Sequence, residues 1–348
     1  RDTGCVRWSY SIDDSIRTGL AFGPAGEGGP IALYFGTGGG ELHAVRADNG
    51  QGLWVQSMRS HPGTMLTGTP RYSEGSLYVP LSSSEVGLAL SPFYACCTSS
   101  GGLRRVVAET GEVLWHVDTI GESPQVTGHR WVFVEQWGPA GAPVWSSPAE
   151  DDKLGLVFIG TGQNYSHPTT TTSDAILAVS KETGELRWTY QATAGDAFNM
   201  ACGVSESHPN CPSPAGPDVD FGAPPILTDQ QGITVLLAGQ KSGDVHALDA
   251  ASGELIWRRH LGRGGYLGGV HWGMALDEAN RTLYVPLNDI DTGPAHGEPA
   301  EGLHALDAVT GEVKWRSDEP ARCGERSGCR TGYSAAVVAA PGLVLAGV

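Results

Sequence analysis

Cysteines are the residues in this sequence whose type and spacing indicate chemistry most directly. Seven are present, in three close pairs and one alone: Cys96 with Cys97, Cys202 with Cys211, Cys323 with Cys329, and Cys5. None has the CxxC spacing of a metal site, and no CxxCH sequence for covalent haem attachment occurs. Close pairs in loops rich in Gly, Pro and Ser predict disulfides and a periplasmic or extracellular location, with buried free thiols as the alternative.

The charge of the chain restricts its partners. Its 348 residues carry a net charge of −16 at pH 7. Nucleic acid and anionic membrane surfaces are rich in phosphate, so neither is expected as a partner. The longest apolar run, residues 335–348, is too short and too often broken by Gly and Pro to cross a bilayer.

The elements that must position any functional groups are short strands. Glycine, with 50 residues, has about twice its usual share, and no segment shows sustained helical periodicity. Short apolar runs alternate with segments rich in Gly, Pro, Ser and Asp, which is typical of strands joined by tight turns.

An internal repeat organises these strands. Five segments follow the pattern Ala-x-Asp-x-x-Thr-Gly-x-x-x-Trp, at residues 44–54, 105–115, 178–188, 247–257 and 305–315. A sixth, truncated copy ends at Trp8. In the pattern, one strand passes through a small residue, the turn uses Gly for left-handed backbone, and the return strand carries a Trp that can wedge between neighbouring sheets.

The repeat predicts an all-β fold, a β-propeller of four-stranded antiparallel blades. One unit cannot bury both of its faces, so radially packed copies are expected. A β-solenoid fits poorly, because the spacing between the tryptophans is irregular and far longer than one coil. With a new strand starting within residues 337–347, we expect at least six blades in a single propeller domain over residues 1–348, incomplete at both ends.

The repeat resembles that of the eight-bladed PQQ-dependent alcohol dehydrogenases and, within this family, the polyvinyl alcohol dehydrogenases. Stretches between the repeats carry a more specific likeness, because propeller packing does not require them: SPFYACCTSSGG, VWSSPAEDDKLGLVFIGTGQNYSHPTTTTSDAI, AGDAFNMAC, NCPSPAGPDVDFGAPPIL, AGQKSGDVHALD and GRGGYLGGVHWGMALD. The resemblance implies eight blades in the complete protein, the cofactors pyrroloquinoline quinone (PQQ) and Ca²⁺, and cytochrome c as electron acceptor. No cytochrome c domain is expected on this chain.

The resemblance also implies which residues contact the quinone, a flat tricarboxylate that needs an aromatic floor and nearby cations. Trp145, in VWSSP, matches the family's stacking Trp. Arg17, in SIRTGLAFG, and Lys241, in GQKSGDVHALD, match its basic contacts. The further cofactor-contacting positions are Thr67, Ser82, His271 and Trp272.

A calcium site is implied in the same way. Glu85, in SSSEVG, matches the family's Glu ligand, and a hard cation needs several oxygen ligands. Gln163 stands where the family has an Asn ligand, with Asn164 next to it, and Asn199 stands at the position of the ligating catalytic Asp. Ala201 replaces the extra carboxylate of lanthanide-using relatives, which favours Ca²⁺.

The proton acceptor departs from the family pattern. The family's general base is the last residue of G-D-x-W-D, and the corresponding GDAFN places Asn199 there. An amide cannot take a proton from an alcohol at neutral pH. We therefore expect Asp196, or Glu85 through a water, to act as the base, with a turn-stabilising role as the alternative for Asp196.

The adjacent cysteines depart from the pattern too. Many family members cover the quinone with a disulfide just before the arginine that Arg17 matches, but SIDDSIR has no cysteine there. Cys96 and Cys97 lie after Glu85 instead. The adjacent cysteines could form a cap over the cofactor or a purely structural pair, and the sequence leaves both roles open.

Two functions remain. The resemblance implies oxidation of a secondary alcohol in a polymer or bulky substrate. A non-catalytic propeller, used for binding or assembly, is the alternative, favoured by Asn199 and Gln163. The enzyme is favoured by the joint presence of Arg17, Thr67, Ser82, Glu85, Trp145 and Lys241.

Overall fold

The computed structural model describes residues 4–131, 133–289, 300–317 and 332–347. Within these ranges the chain is almost entirely strands and turns, as predicted, with two short helices at Glu85–Leu88 and Met200–Val204. No helix in the described ranges is long and apolar enough to span a membrane.

Five antiparallel sheets, called blades 1 to 5, follow one another along the chain. Blade 1 consists of Ala21–Pro24, Ile31–Gly36, Glu41–Arg46 and Gly52–Ser57, and blade 2 of Thr64–Met65, Arg71–Ser73, Ser76–Ser83, Gly102–Val107 and Val113–Asp118. Blade 3 consists of Ala149–Asp151, Leu156–Gly160, Ala175–Ser180 and Leu186–Gln191. Blade 4 consists of Ile226–Gln230, Ile233–Gly239, Asp244–Asp249 and Leu255–His260, and blade 5 of Ala275–Asp277, Thr282–Leu287, Gly302–Asp307 and Val313–Ser317.

Three two-stranded pairs complete the described strands. They are Gln125–Arg130 with Val134–Gly138, Ala140–Gly141 with Asn164–Ser166, and Val338–Ala340 with Leu343–Leu345. The last pair lies where the sequence predicts the start of a further blade. The total of eight blades in the complete protein stays a prediction.

Each repeat Trp from Trp8 to Trp257 packs on the turn of the following blade. A Cβ atom added to Gly50 would lie 2.5 Å from Trp8 Cε3, and Trp8 Nε1 donates a hydrogen bond of 3.2 Å to the Ala47 carbonyl. The same two contacts join later blades through Trp54, Trp115 and Trp188. The turn glycines of the repeat have φ between 70° and 79°, so both the backbone conformation and the approaching indole require Gly.

The last two repeat tryptophans differ from the others. Trp257 packs on Gly311, but its Nε1 has no hydrogen-bond partner among the described residues. The Ala308 carbonyl, which corresponds to the acceptor in the earlier blades, accepts Gln230 Nε2 at 3.0 Å instead. Trp315 is 43% exposed, since no turn of a following blade covers it within the described residues.

The hydrophobic core is divided into layers between consecutive blades. Leu42 of blade 1 and Leu77 of blade 2 share one buried cluster, and Phe158 of blade 3 and Leu236 of blade 4 share another. Blades 2, 3 and 4 therefore bury both faces against their neighbours, as the repeat predicted. This packing leaves the turns at the ends of the strands to build a site.

Candidate active site

A cavity of about 420 Å³ lies where segments from four consecutive blades meet. Its side chains come from the segment before blade 1, from blade 2, and from the connections before or within blades 3 and 4. The polar and aromatic lining consists of Arg17, Thr67, Ser82, Ser83, Ser84, Trp145, Gln163, Tyr165, Asp218, Asp220 and Lys241. Five residues predicted to contact the cofactor thus share one cavity, although they lie far apart in the sequence: Arg17, Thr67, Ser82, Trp145 and Lys241.

Lys241 forms the charged centre of this cavity. Its side chain follows strand Ile233–Gly239 of blade 4 and is only 5% exposed. The ammonium lies 2.9 Å from Asp218 Oδ1 and 2.8 Å from Asp220 Oδ2. Burial by itself would lower the pKa of Lys241, but the Asp218 and Asp220 carboxylates outweigh burial and raise this pKa above its ordinary value. Lys241 therefore carries a positive charge at neutral pH.

Trp145 is held in place by Asp220 and by a glycine. The indole Nε1 donates to Asp220 Oδ2 at 3.1 Å, while the backbone N–H of Gln163 donates to Asp220 Oδ1 at 2.9 Å. The far edge of the ring lies on Gly222, where an added Cβ would collide with the indole. Lys241 Nζ lies 5.6 Å from the centroid of the ring. The ring is fixed and available as a floor for a flat ligand.

His271 and Trp272 pack against Trp145 but do not line the cavity. Their ring centroids lie 5.6 Å and 6.3 Å from that of Trp145. Burial, followed by the charge of Lys241, lowers the pKa of His271 to about 4, so the imidazole is neutral. Both residues support the aromatic floor rather than the cavity surface.

Hydroxyl and guanidinium groups complete the polar lining. Thr67 Oγ1 donates to Ser82 Oγ at 3.2 Å. Arg17 is exposed and, within the described part of the chain, makes no hydrogen bond or ion pair. With Lys241, these groups suit the carboxylates and carbonyls of a flat anionic ligand. The cavity lining therefore fits a quinone of the PQQ type.

Asp196 and Asn199, the residues predicted for catalysis, lie outside the cavity lining and are fully buried. The Asp196 carboxylate accepts the backbone N–H groups of Asp218 at 3.2 Å and Val219 at 3.0 Å, and burial raises its pKa to about 6. Asn199 caps helix Met200–Val204 by accepting the Ala201 N–H at 3.0 Å. In this structure the Asp196 side chain therefore anchors the backbone of residues 218–219, and the Asn199 side chain caps a helix.

The side chains predicted to bind Ca²⁺ are engaged in other hydrogen bonds. Glu85 is fully buried, and its carboxylate accepts Tyr94 Oη at 2.6 Å, Thr98 N at 2.9 Å and Ser99 N at 2.6 Å. Asn164 Oδ1 accepts the Thr170 N–H at 2.9 Å.

Among these predicted ligands, Asn199 Oδ1 is likewise taken by a helix cap. Gln163 Oε1 is the exception, since it is buried and no donor in the described part of the chain bonds to it. Within the described residues, no group of three or more His, Cys, Asp or Glu side chains is placed to hold a metal. These residues do not fit a bound cation in this arrangement, so no chemical step is derived through one.

The disulfides are partly resolved by the structure. Cys96 is bonded to Cys97, and Cys202 is bonded to Cys211. Cys5 is exposed, and the predicted pair of Cys323 and Cys329 lies outside the described residues. The Cys96–Cys97 pair does not line the cavity but shares a buried cluster with Tyr165, which does. It therefore adjoins the cavity wall.

Asp218 and Asp220 are site residues that the sequence reasoning did not assign. They belong to the segment PDVDFGAPP, just before blade 4. Carboxylates two residues apart in an extended segment point to the same side. This spacing was the signal in the sequence that could have assigned both residues to one site. Their shared contact with Lys241 depends on the left-handed backbone of Asp218, where φ is +57°, and the sequence pattern did not predict that conformation.

Comparisons with known proteins agree with this fold. Residues 86–205 match the family model described as "Glucose/ethanol/alcohol dehydrogenase, beta-propeller domain", and residues 228–346 match that of "Outer membrane protein assembly factor BamB". The chain is 35% identical to a polyvinylalcohol dehydrogenase of Sphingopyxis sp. (strain 113P3), over 99% of this chain and 54% of the relative. It is 36% identical to a polyvinylalcohol dehydrogenase of Pseudomonas sp., with the same coverage. The chain thus spans about half the length of these curated relatives.

A solved structure, a europium-containing methanol dehydrogenase, superposes with a TM-score of 0.60 over 86% of this chain and 61% of that chain. Its 16% sequence identity makes it evidence for the fold alone. Together, the Trp-docked blades, the aromatic and cationic cavity and the sequence relatives define the family. The chain belongs to the quinoprotein alcohol dehydrogenases, the family of PQQ-type β-propellers, and within it is similar to the polyvinyl alcohol dehydrogenases.

Proposed function

We propose that this chain is the propeller of a PQQ-dependent dehydrogenase that oxidises alcohols, with secondary hydroxyls of a polymer or bulky molecule as the substrate. The observation that carries the proposal is the convergence of Arg17, Thr67, Ser82, Trp145 and Lys241 on one cavity. A scaffold needs no such set, because blade packing is complete without it. The names of the two polyvinylalcohol dehydrogenase relatives support the choice of substrate class.

Each lining residue has a distinct task in this proposal. Trp145 provides the floor on which a flat quinone stacks, and Asp220 holds the indole in orientation. Lys241 and Arg17 offer positive charge to the quinone oxygens, and the Thr67 and Ser82 hydroxyls offer hydrogen bonds to its carboxylates. When bound, such a quinone accepts two electrons as hydride from the carbinol carbon of an alcohol.

The wider setting follows from the same proposal. Electrons would leave to a cytochrome c, because the reduced quinone must be reoxidised by a separate electron carrier before the next turnover. The Cys202–Cys211 disulfide supports a periplasmic or extracellular site of action, where disulfides persist. A requirement for Ca²⁺ is part of the family's pattern, and reconstitution with and without Ca²⁺ tests it.

The test is reconstitution of the chain with PQQ, with and without Ca²⁺. Bound quinone is followed by its absorbance, and turnover by reduction of an artificial electron acceptor. We expect reduction with polyvinyl alcohol and small secondary alcohols, and slower reduction with primary alcohols. A folded chain that neither binds PQQ nor reduces the acceptor would overturn the proposal.

A non-catalytic assembly module is the second candidate. The match of residues 228–346 to the outer membrane assembly factor model favours it, as does the amide of Asn199 at the position of the family's base. This candidate expects a stable propeller with no quinone affinity. The reconstitution therefore separates the two functions in its first measurement.

A further inference from the structure

Apolar side chains are exposed on three segments that lie outside the strands of the blades. The first is helix Glu85–Leu88 with the loop after it, the second is the turn of the hairpin within residues 125–138, and the third is helix Met200–Val204. Their exposed apolar side chains, here called the apolar platform, are Leu88, Leu90, Phe93, Trp131, Phe133, Met200 and Val204. Blade packing does not account for this set, so another reason for its exposure is needed.

The three segments contact one another. The ring centroids of Phe93 and Trp131 lie 5.5 Å apart, which joins the loop to the hairpin. A Cβ added to Gly87 would lie 3.7 Å from Met200 Sδ, so the two helices are neighbours. The first segment thus contacts both of the others, and the platform is one surface rather than a set of scattered positions.

A buried side chain, Asn210, ties the three segments together. Its Nδ2 donates hydrogen bonds of 2.8–3.2 Å to three carbonyls of the loop, those of Ala89, Ser91 and Tyr94. Its Oδ1 accepts Nη1 of Arg130, in the hairpin, at 3.3 Å. The next residue, Cys211, is disulfide-bonded to Cys202 of helix Met200–Val204. The platform is therefore a preformed surface, and a ligand need not order it on binding.

The platform adjoins the cavity of Trp145 and Lys241. Val86 and Gly87 line that cavity, and Leu88, the next residue of the same helix, is exposed on the platform. Met200 lies against Gly87 as well. The platform therefore begins where the cavity lining ends.

The platform segments carry no charge, although the chain has a net charge of −16. Residues 86–103, 131–134 and 197–205, which contain every platform side chain, include no Asp, Glu, Lys, Arg or His. A partner with many charges would find no opposite charges there, whereas a neutral hydrocarbon gains by covering the exposed rings. The surface thus favours a neutral ligand that is apolar along its length.

We propose that the platform binds a stretch of a neutral, hydroxyl-bearing hydrocarbon polymer and leads it to the cavity, an inference that rests on the proposed function. The CH₂ groups of the polymer pack on Phe93, Trp131 and Phe133, and its hydroxyls stay in solvent until one enters the cavity beside Gly87. A small alcohol is too short to contact the platform while it reacts. The platform therefore sets the preference for a polymer.

The test compares the wild type with the double variant Phe93→Ala/Trp131→Ala, which removes the ring pair and leaves the cavity lining intact. Phe22→Ala is the matched control, since Phe22 and Phe93 are both 70% exposed but Phe22 lies on blade 1, outside the platform. Binding to the chain without quinone is measured by electrophoresis in native gels that contain polyvinyl alcohol. KM and kcat are measured on the PQQ-loaded chain with polyvinyl alcohol and with isopropanol, using an artificial electron acceptor.

Polyvinyl alcohol should retard the wild type and Phe22→Ala alike, and should retard the double variant much less. We expect the double variant to raise KM for polyvinyl alcohol by about 10-fold without lowering kcat, because aromatic side chains dominate such contacts. Its KM for isopropanol should stay within about twofold of the wild-type value, since isopropanol does not reach the platform.

Equal retardation and equal polymer KM in the three proteins would overturn this inference, while oxidation of isopropanol would uphold the proposed function. Retardation of a chain that binds no PQQ would overturn the proposed function and leave the polymer site standing. A protein electron carrier is the alternative occupant of the platform. If the double variant binds polyvinyl alcohol as the wild type does but is slowed with cytochrome c as the acceptor, the platform docks the carrier and this inference is wrong.

Discussion

Asp220 and Trp145 are joined by a hydrogen bond of 3.1 Å from the indole Nε1 to the carboxylate Oδ2, the same oxygen that receives Lys241 at 2.8 Å. One carboxylate therefore sets the orientation of both the aromatic floor and the buried cation. Neither group could hold a flat anionic ligand alone, because stacking needs a fixed ring and charge pairing needs a fixed ammonium.

Asp220→Asn should weaken this arrangement. The indole and Lys241 lose a shared anion, so PQQ affinity should fall and the free energy of unfolding should decrease by about 1–3 kcal/mol. Fluorescence titration and urea denaturation measure the two effects. Asp13→Asn, a change at an exposed carboxylate, is the control and should alter neither. Unchanged PQQ affinity in Asp220→Asn would contradict its role as an anchor.

Gly222→Ala should displace Trp145. A Cβ at this position collides with the indole and lies 3.0 Å from the His271 carbonyl, so the ring must move. We expect reduced PQQ affinity, together with a loss of stability of about 1–3 kcal/mol. Gly121→Ala is the matched control, since an added Cβ there meets nothing within 4 Å. Equal PQQ affinity in the two variants would show that the indole position is not critical.

The docking of tryptophans between blades can be tested within blade 4. Gly253 and Gly232 have φ of +76° and +88°, but only a Cβ at Gly253 would meet an indole, Trp188 at 2.7 Å. Gly232→Ala should show the cost of the backbone conformation alone. Gly253→Ala should cost about 1–3 kcal/mol more in urea denaturation, because it also disturbs the contact between blades 3 and 4. Equal losses would argue against Trp docking as a stabilising contact.

Glu85→Gln distinguishes a structural carboxylate from a calcium ligand. The present hydrogen bonds predict a lower free energy of unfolding, by about 1–3 kcal/mol, because the buried N–H groups of Thr98 and Ser99 lose a charged acceptor. PQQ loading in the presence of Ca²⁺ should be unchanged. Glu112→Gln, on an exposed turn, is the control. If Ca²⁺-dependent PQQ loading were lost in Glu85→Gln and kept in Glu112→Gln, Glu85 would be a calcium ligand, as the sequence predicted.

The scaffold was predictable because its determinants are local. A turn glycine with positive φ and a Trp at a constant offset recur in each repeat, and the contact of Trp54 with Gly111 repeats that of Trp8 with Gly50. The cavity lining was predictable where residues of unusual type lie between repeats, as Trp145 and Lys241 do.

The roles of individual polar groups were harder to predict. Whether Glu85 or Asn199 faces a ligand depends on which backbone N–H groups surround it, and here those donors come from Thr98, Ser99 and Ala201. The contact of Asp218 with Lys241 joins residues 23 apart, and Asp218 has a left-handed backbone conformation. No periodic pattern signals such a contact.

Titration of the folded chain with PQQ, followed by quenching of tryptophan fluorescence, tests the central claim most directly. The cavity of Trp145, Lys241 and Arg17 predicts saturable binding of one quinone per chain, and much weaker binding by Trp145→Leu. A wild-type chain that is folded, as judged by a cooperative urea transition, yet shows no saturable quenching would contradict the account.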